Sequence, residues 1–232
     1  MVRYPAAVVR AKRKLNPAID ATLTRARRSA GERRFTELVQ QARERGPVRV
    51  NIGSGGKPIG GFVNCDVVWR VPAYLDATRP WPVPPGTVDV VYADNVIEHV
   101  PLELGRQMFR HTYDALAPCG VFRLATPDVE AVARQYLDNG ELARLGLERS
   151  RERGRDFIYP VQLLQNVFVG AKHYLGFCYD YATISAEMQA AGFATSRQPA
   201  GQSDNQDLRG LETRLHPAEE ATSLIVEGRK PG

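Results

Sequence analysis

The chain has 232 residues, of which 43% are hydrophobic and 25% are charged, so it is long enough to bury a core of its own as one domain. No apolar run approaches the length of a membrane span, and the first residues lack the apolar core of a secretory signal, so we expect a cytoplasmic protein. The three cysteines are widely spaced, which argues against a disulfide framework and against a structural zinc motif.

The net charge of +5 is unevenly distributed along the chain. Residues 1–46 contain twelve Lys or Arg and four Asp or Glu, a net charge of +8, which leaves −3 for the remainder. Such a segment suits contact with nucleic acid or with an anionic membrane surface, and it also suits a solvated helical extension. We favour the extension, because Tyr4 and Phe35 are the only aromatic residues in this stretch that could stack on bases.

The first predicted elements are helices. The spacing of apolar residues predicts helices at about residues 7–15 and 18–29, and a third over residues 31–45 that packs against a sheet edge or covers a ligand. We therefore divide the chain into a basic helical extension, residues 1–45, and a larger domain, residues 46–232.

The next stretch, VRVNIGSGG from Val48, joins a buried strand to a glycine-rich turn. Its alternating apolar residues predict a strand inside a parallel sheet, and its glycines allow the backbone to turn sharply and approach a ligand, although similar sequences also occur in ordinary turns. A second short strand, residues 62–65, is followed by Asp66. In a Rossmann-like sheet these strand ends are neighbours, so Asp66 is placed beside Gly53 and Gly55 to accept hydrogen bonds from a ribose diol. Together they predict a cofactor that contains a nucleoside.

Further predicted elements alternate between strands and helices. They are a strand at residues 88–93, a helix at 101–117, a strand at 121–125, helices at 128–138 and 180–191, and strands at 193–197 and 221–227.

Residues 139–175 fit no standard element of such a core. They comprise a charged helical stretch and an apolar stretch, residues 157–169, which suits either a lid or the surface of a homodimer. Insertions at the ligand end of an open sheet usually select the substrate, so we place the acceptor pocket between this insertion and the loop after Asn95.

With these motifs in this order, the chain resembles the class I S-adenosylmethionine-dependent methyltransferases. The resemblance covers residues 47–128 closely and residues 180–228 more loosely. It implies a Rossmann-like, seven-stranded, mostly parallel sheet with helices on both faces, and S-adenosylmethionine as the cofactor. Two features depart from the family pattern: residues 57–61 are too few for the helix that usually follows the first strand, and Asn51 stands where an acid is more common.

The same resemblance implies which residues bind the cofactor. They are Asn51, Gly53, Ser54, Gly55, Asp66, Val67, Asp76, Ala77 and Asn95. Asp76 and Ala77 are placed beside the adenine amino group, for which a carboxylate is a suitable acceptor. The local sequence is equally consistent with a turn carboxylate among prolines.

The chemistry of the cofactor restricts the catalytic candidates. Transfer of a methyl group from a sulfonium requires alignment of the acceptor and exclusion of water, and a hydroxyl acceptor must also lose its proton. His99 and His173 are the candidate bases, although each is also consistent with a structural role. We therefore expect methylation of a hydroxyl oxygen on a small molecule or saccharide.

Residues 95–99 also resemble a metal-binding motif. Small-RNA 2′-O-methyltransferases and ubiquinone-pathway O-methyltransferases have Glu-x-x-Glu-His here, and their acids and histidine bind a divalent metal. Glu98 and His99 match that pattern, but Asn95 replaces the first acid. The resemblance implies Glu98 and His99 as catalytic residues and as ligands of Mg²⁺. If a metal binds, His173 is a candidate for a further ligand. Methyltransferases without a metal also contain Glu-His.

Three alternative functions differ in what they require. A nucleic-acid methyltransferase would use the basic residues 1–46 and bind in a salt-sensitive manner. A cofactor-binding protein without turnover is favoured by Asn51 and by the shortened connection after the first strand. A nicotinamide dehydrogenase fits less well, because G-x-G-x-x-G followed by a helix is absent.

Overall fold

The computed structural model describes residues 17–68, 71–212 and 216–232. Seven strands form one sheet in the order β3-β2-β1-β4-β5-β7-β6. β7 is antiparallel to both of its neighbours, and the other pairs are parallel. The predicted sheet, with its antiparallel edge, is confirmed. The strands are β1 Arg49–Ile52, β2 Val63–Asp66, β3 Ala73–Tyr74, β4 Val88–Asp94, β5 Leu116–Pro127, β6 Ala194–Arg197 and β7 Ser223–Arg229.

Seven α-helices and three short 3₁₀ helices accompany the sheet in the described residues. The α-helices are α1 Pro17–Arg45, α2 Leu102–Ala115, α3 Val129–Asp138, α4 Glu141–Glu152, α5 Pro160–Val169, α6 Tyr181–Ala190 and α7 Pro217–Ala221. The 3₁₀ helices are Ile97–His99, Gly170–Leu175 and Gln206–Leu208. None of the described helices has both the length and the apolar character that crossing a bilayer demands.

The two helices predicted at residues 18–29 and 31–45 are wrong as separate elements, because α1 is continuous over 29 residues. Gly31 does not end a helix. A Cβ on Gly31 would lie 2.5 Å from the Cβ of Tyr74, so the glycine allows α1 to pack closely on β3. The helix predicted at residues 7–15 lies outside the described residues.

One face of the sheet packs on helices. Side chains of α1, α2 and α6, including Phe35, Phe109 and Ile184, are fully buried against alternate residues of β1, β4 and β5. Because successive residues of a strand point to opposite faces, this core uses residues such as Val50 and Val91, while Asn51 and Tyr92 point to the other face. The apolar periodicity in the sequence corresponds to this helix-covered face.

The opposite face over β4 and β5 is covered by an irregular segment, residues 199–212, that we call the strap. Leu208 of the strap is buried against Val90, Tyr92 and Val121. As expected, the connection between β1 and β2 contains no helix, so this face lacks one of the covers usual for such sheets. The strap supplies apolar cover over the neighbouring strands instead.

The strap is attached to the sheet by a buried ion cluster around Arg123 of β5. The guanidinium of Arg123 is bidentate to Glu212, with both N···O distances 2.7 Å, and binds Glu227 of β7 at 2.7 Å. It also donates to the backbone oxygens of Gln202 and Pro199. Arg123 has no exposed surface, and five hydrogen bonds compensate for the loss of its hydration.

The predicted insertion at residues 139–175 contains α4, α5 and the 3₁₀ helix Gly170–Leu175. α5 contacts α3 and α4, and α4 contacts α7. The insertion therefore lies beside the ends of β5 and β7, next to the loop after β4. The division of the chain into an extension, residues 1–45, and a domain, residues 46–232, stays a prediction.

Candidate functional site

The loop after β1 has the backbone geometry that its glycines predicted. Gly53 and Gly55 have φ angles of +67° and +48°, a region that glycine enters without steric cost. A Cβ on Gly53 would overlap the side chain of Val96, so the loops after β1 and β4 are in close contact. The backbone N–H of Ser54 donates to the carbonyl of Cys65 at 3.1 Å and so joins the loop to β2.

Asp66 lies beside this loop, as the sequence predicted. Its Oδ2 accepts from the backbone N–H of Gly55 at 2.9 Å, and its Oδ1 accepts from that of Val68 at 3.1 Å. Each carboxylate oxygen retains a lone pair, so the side chain is held in one orientation and can still accept from a diol. Val67 is exposed at the same strand end.

Asn51 is tied to the neighbouring strand. Its Nδ2 donates to Oδ1 of Asn64 at 2.8 Å, and that oxygen also accepts from the backbone N–H of Ile59. The two asparagines thereby fix the short connection that takes the place of a helix between β1 and β2. The predicted contact of Asn51 with the cofactor stays a prediction.

Asp76 and Ala77 follow β3, one strand beyond Asp66. Oδ1 of Asp76 accepts from the backbone N–H and the hydroxyl of Thr78, at 3.2 and 2.6 Å, and its other oxygen pairs with Arg79 at 3.3 Å. The side chain of Ala77 is part of the core. The turn geometry predicted for Asp76 is present, and the adenine contact of these two residues stays a prediction.

A cavity of about 720 Å³ opens at the carboxyl ends of β1, β4 and β5, where ligands bind in open α/β sheets. Its volume is within the range of about 300–1,000 Å³ typical of small-molecule sites. Asp66, Val67, Asp76 and Ala77 lie outside its lining. The predicted site residues that line it are Asn51, Gly53, Ser54, Gly55, Asn95, Glu98, His99 and His173.

The cavity also has lining residues that we did not predict. They include Lys57, Tyr92, Arg149, Arg153, Arg155 and Asn166. Residues 149–155 were recognised only as a charged helical stretch, because no pattern in the sequence indicates which face of such a helix meets a cavity.

Glu98 is fully buried in the 3₁₀ turn after β4. Its Oε2 accepts from the hydroxyl of Thr126 in β5 at 3.1 Å, which fixes the carboxylate between two strand ends. This bond holds the 3₁₀ turn against β5, and His99 is the next residue of that turn.

His99 and His173 are 74 residues apart in the chain and lie together in the structure. Their ring centroids are 4.8 Å apart, with an interplanar angle of 70°. Gly176 makes this approach possible, because a Cβ there would overlap the backbone of residues 98–100. The backbone N–H of Phe177 donates to the carbonyl of Val100 at 3.1 Å and fastens the two segments together.

The hydrogen-bond partner of His173 selects the tautomer of its neutral ring. Its Nδ1 lies 2.6 Å from the carbonyl oxygen of Val167, which can only accept, so in the neutral ring Nδ1 carries the proton and Nε2 has the lone pair. Partial burial, together with the charge that His173 can carry, lowers the pKa of His99 below its usual 6.5. Because the pKa of His99 is lowered, its imidazole is mainly neutral at pH 7.

Glu98, His99 and His173 each offer a ligand atom, and these atoms lie within 4.8 Å of one another. Bonds of about 2.1 Å to one ion place ligand atoms within about 4 Å, so small side-chain rotations would complete a site. Two imidazoles and one carboxylate suit a transition metal, whereas Mg²⁺ prefers oxygen ligands. The donor set therefore does not fit the Mg²⁺ that the resemblance implied.

Asn95, the residue that departs from the metal-binding motif, has a backbone reason for its identity. Its φ is +54°, in the left-handed region that asparagine adopts more readily than most residues, and its N–H donates to the carbonyl of Ala125 at 2.9 Å. Asn95 is exposed at the cavity, and its predicted contact with the cofactor stays a prediction.

No family model matches the sequence, and no curated protein matches it. Solved structures with a similar fold include the CurJ carbon methyltransferase, at 12% identity and TM-score 0.46, with 80% of this chain aligned to 49% of that chain. An S-adenosylmethionine-dependent methyltransferase from Mesorhizobium loti aligns at 15% identity and TM-score 0.47, over 82% of this chain and 96% of that one. A methyltransferase from Thermotoga maritima aligns at 16% identity and TM-score 0.44, over 86% of this chain and 91% of that one.

Proposed function

We propose that this chain is an S-adenosylmethionine-dependent methyltransferase that acts on a hydroxyl oxygen of a small molecule or saccharide. One observation carries the proposal: a single cavity is bounded on one side by the glycine loop beside Asp66 and on another by the His99–His173 pair. A nucleoside cofactor and a proton acceptor would therefore meet in one site.

The expected binding mode follows from the strand ends. Asp66 accepts hydrogen bonds from the ribose diol, and Gly53 to Gly55 leave room for the backbone to approach the cofactor. The methionine portion extends into the cavity past Asn51 and Asn95, which brings the methyl group toward the histidines.

The chain's own residues then have two tasks. The cavity aligns the acceptor oxygen with the methyl carbon, so that the O–C bond forms as the C–S bond breaks and its electron pair returns to sulfur. Nε2 of His173 accepts the hydroxyl proton, while the Val167 carbonyl holds the Nδ1 proton and stabilises the imidazolium that forms. Glu98 fixes the turn that presents His99.

The first experiment is calorimetric titration of the full chain with S-adenosylmethionine, S-adenosylhomocysteine and NAD. We expect micromolar binding of the two adenosyl ligands and no binding of NAD. Asp66→Ala should weaken adenosyl binding by about 1–3 kcal/mol, because the diol loses a charged acceptor. Asp138→Ala, at the exposed end of α3, is the matched control and should leave the affinity unchanged. Wild-type affinity in Asp66→Ala would contradict the cofactor site, and absence of adenosyl binding would contradict the function.

A metal-assisted form of the same reaction is favoured by the clustering of Glu98, His99 and His173. A bound divalent ion would lower the pKa of the acceptor hydroxyl. We expect Mn²⁺ to bind the metal-free protein more tightly than Mg²⁺, and Glu98→Gln to abolish Mn²⁺ binding without loss of adenosyl binding. Full turnover after exhaustive chelation, with no calorimetric Mn²⁺ signal, would leave His173 as the proton acceptor without a metal.

A further inference from the structure

The end of the cavity formed by the insertion is basic. Arg149, Arg153 and Arg155 line it at the carboxyl end of α4 and in the turn that follows. Glu219 of α7 is the acidic lining residue that pairs with this group, and it binds Nε of Arg149 at 2.8 Å and Nη2 of Arg153 at 2.5 Å. Two of the three guanidinium groups, those of Arg149 and Arg153, therefore share the carboxylate of Glu219.

The three arginines have different surroundings. Arg149 also pairs with Glu152, so its charge is balanced and it fastens α4 to α7. Arg153 shares Glu219 with Arg149 and is about half exposed. Arg155 is exposed, and it has no ion-pair partner in the part of the chain that the structure describes. Positive charge is therefore in excess at the turn after α4, on a wall of the cavity.

The basic turn precedes α5, and the proposed proton acceptor is bonded near the other end of that helix. His173 is bonded to Val167, near the carboxyl end of α5, while residues 153–159 precede the amino end of the same helix at Pro160. Leu163 and Asn166 line the cavity between the two ends.

We infer that the methyl acceptor has an anionic group, a phosphate or a carboxylate, that Arg153 and Arg155 bind at the insertion end of the cavity. The inference rests on the proposed function, because it assumes that the acceptor hydroxyl meets His173. The fork of a guanidinium forms paired hydrogen bonds with either anion, and a partly enclosed cavity reduces screening by solvent.

The test uses the full chain saturated with S-adenosylhomocysteine, so that the cofactor's own anion-binding contacts are occupied. The probes are inorganic phosphate and acetate, each titrated at low ionic strength by calorimetry. We expect saturable binding of at least one anion, weakened about tenfold in Arg155→Gln and in Arg153→Gln, because a charge-assisted pair is lost. Arg151→Gln is the matched control, since Arg151 is exposed in the last turn of α4, directly before the basic turn, and does not line the cavity.

The outcomes separate this inference from the proposed function. Tighter binding of phosphate than of acetate indicates a phosphorylated acceptor, and the reverse order indicates a carboxylated one. Equal weakening by Arg151→Gln, or no saturable anion binding, would overturn the inference while adenosyl binding stands. If S-adenosylhomocysteine does not bind but the anion does so through Arg155, the proposed function fails and the anion site remains.

Discussion

Replacing His173 by alanine is expected to reduce methyl transfer by about 10²–10⁴-fold while the affinity for S-adenosylmethionine stays nearly unchanged. His173 lines the cavity, and removal of its imidazole leaves the acceptor hydroxyl without the group that we propose takes its proton. Single-turnover rates and calorimetry on the same preparation separate the chemical step from cofactor binding. His111→Ala, in α2 and away from the cavity, is the control variant.

The pH dependence of the rate distinguishes a proton acceptor from a structural histidine. Only a neutral imidazole accepts a proton, so the wild-type rate should fall as the pH is lowered. Because the pKa of His99 is lowered, its contribution to this acidic limb lies below pH 6.5. His173→Ala should lose the rate and the part of the limb that His173 supplies, and any limb that remains belongs to His99. A variant with full activity and an unchanged profile would exclude His173 as the base.

Replacing Arg123 by methionine is expected to lower the free energy of unfolding by about 3–5 kcal/mol. The substitution removes the partner of two carboxylates, Glu212 and Glu227, that remain buried between the strap and the sheet. Urea unfolding followed by circular dichroism measures the change. Arg134→Met, which removes an exposed pair with Glu130, is the control and should leave stability nearly unchanged.

The pH dependence of stability tests the same cluster. Burial alone raises the pKa of Glu212, but the hydrogen bonds and charge of Arg123 outweigh it and hold that pKa below its usual 4.5. Its contribution to stability is complete above about pH 4.5 and disappears as the pH falls through the lowered pKa. Arg123→Met lacks the hydrogen bonds and the charge that lower the pKa of Glu212. The difference in free energy of unfolding between the wild type and Arg123→Met should therefore become smaller as the pH is lowered. A constant difference from pH 7 to pH 3 would contradict the assigned role of the cluster.

Much of the fold was predictable because its signals are local. Alternating apolar residues in VRVNIGSGG gave the strand, and the need for positive φ at Gly53 and Gly55 gave the turn. Asp128 and Asp180 cap the helices that follow them, as their positions indicated. Each of these features depends on residues that are close together in the sequence.

The error in α1 shows where local rules fail. Gly31 is a poor helix former, and the sequence around it suggested a break. Packing decided otherwise, because a residue without a Cβ at this position lets the helix approach Tyr74. The partner that explains the glycine is 43 residues away.

Arg123 was overlooked although it had a sequence signal. A guanidinium in the middle of an apolar strand must be compensated by partners when the strand is buried. The sequence showed the requirement but not the partners, because Glu212 and Glu227 are 89 and 104 residues away.

The sequence by itself determined the strand pattern, the glycine loop and the carboxylate after β2, since each is specified by neighbours along the chain. Only the tertiary structure decided that His173 meets His99, that the strap covers β4 and β5, and that arginines of the insertion line the cavity. These contacts join distant segments, and their geometry depends on how helices and loops pack, which no local pattern specifies.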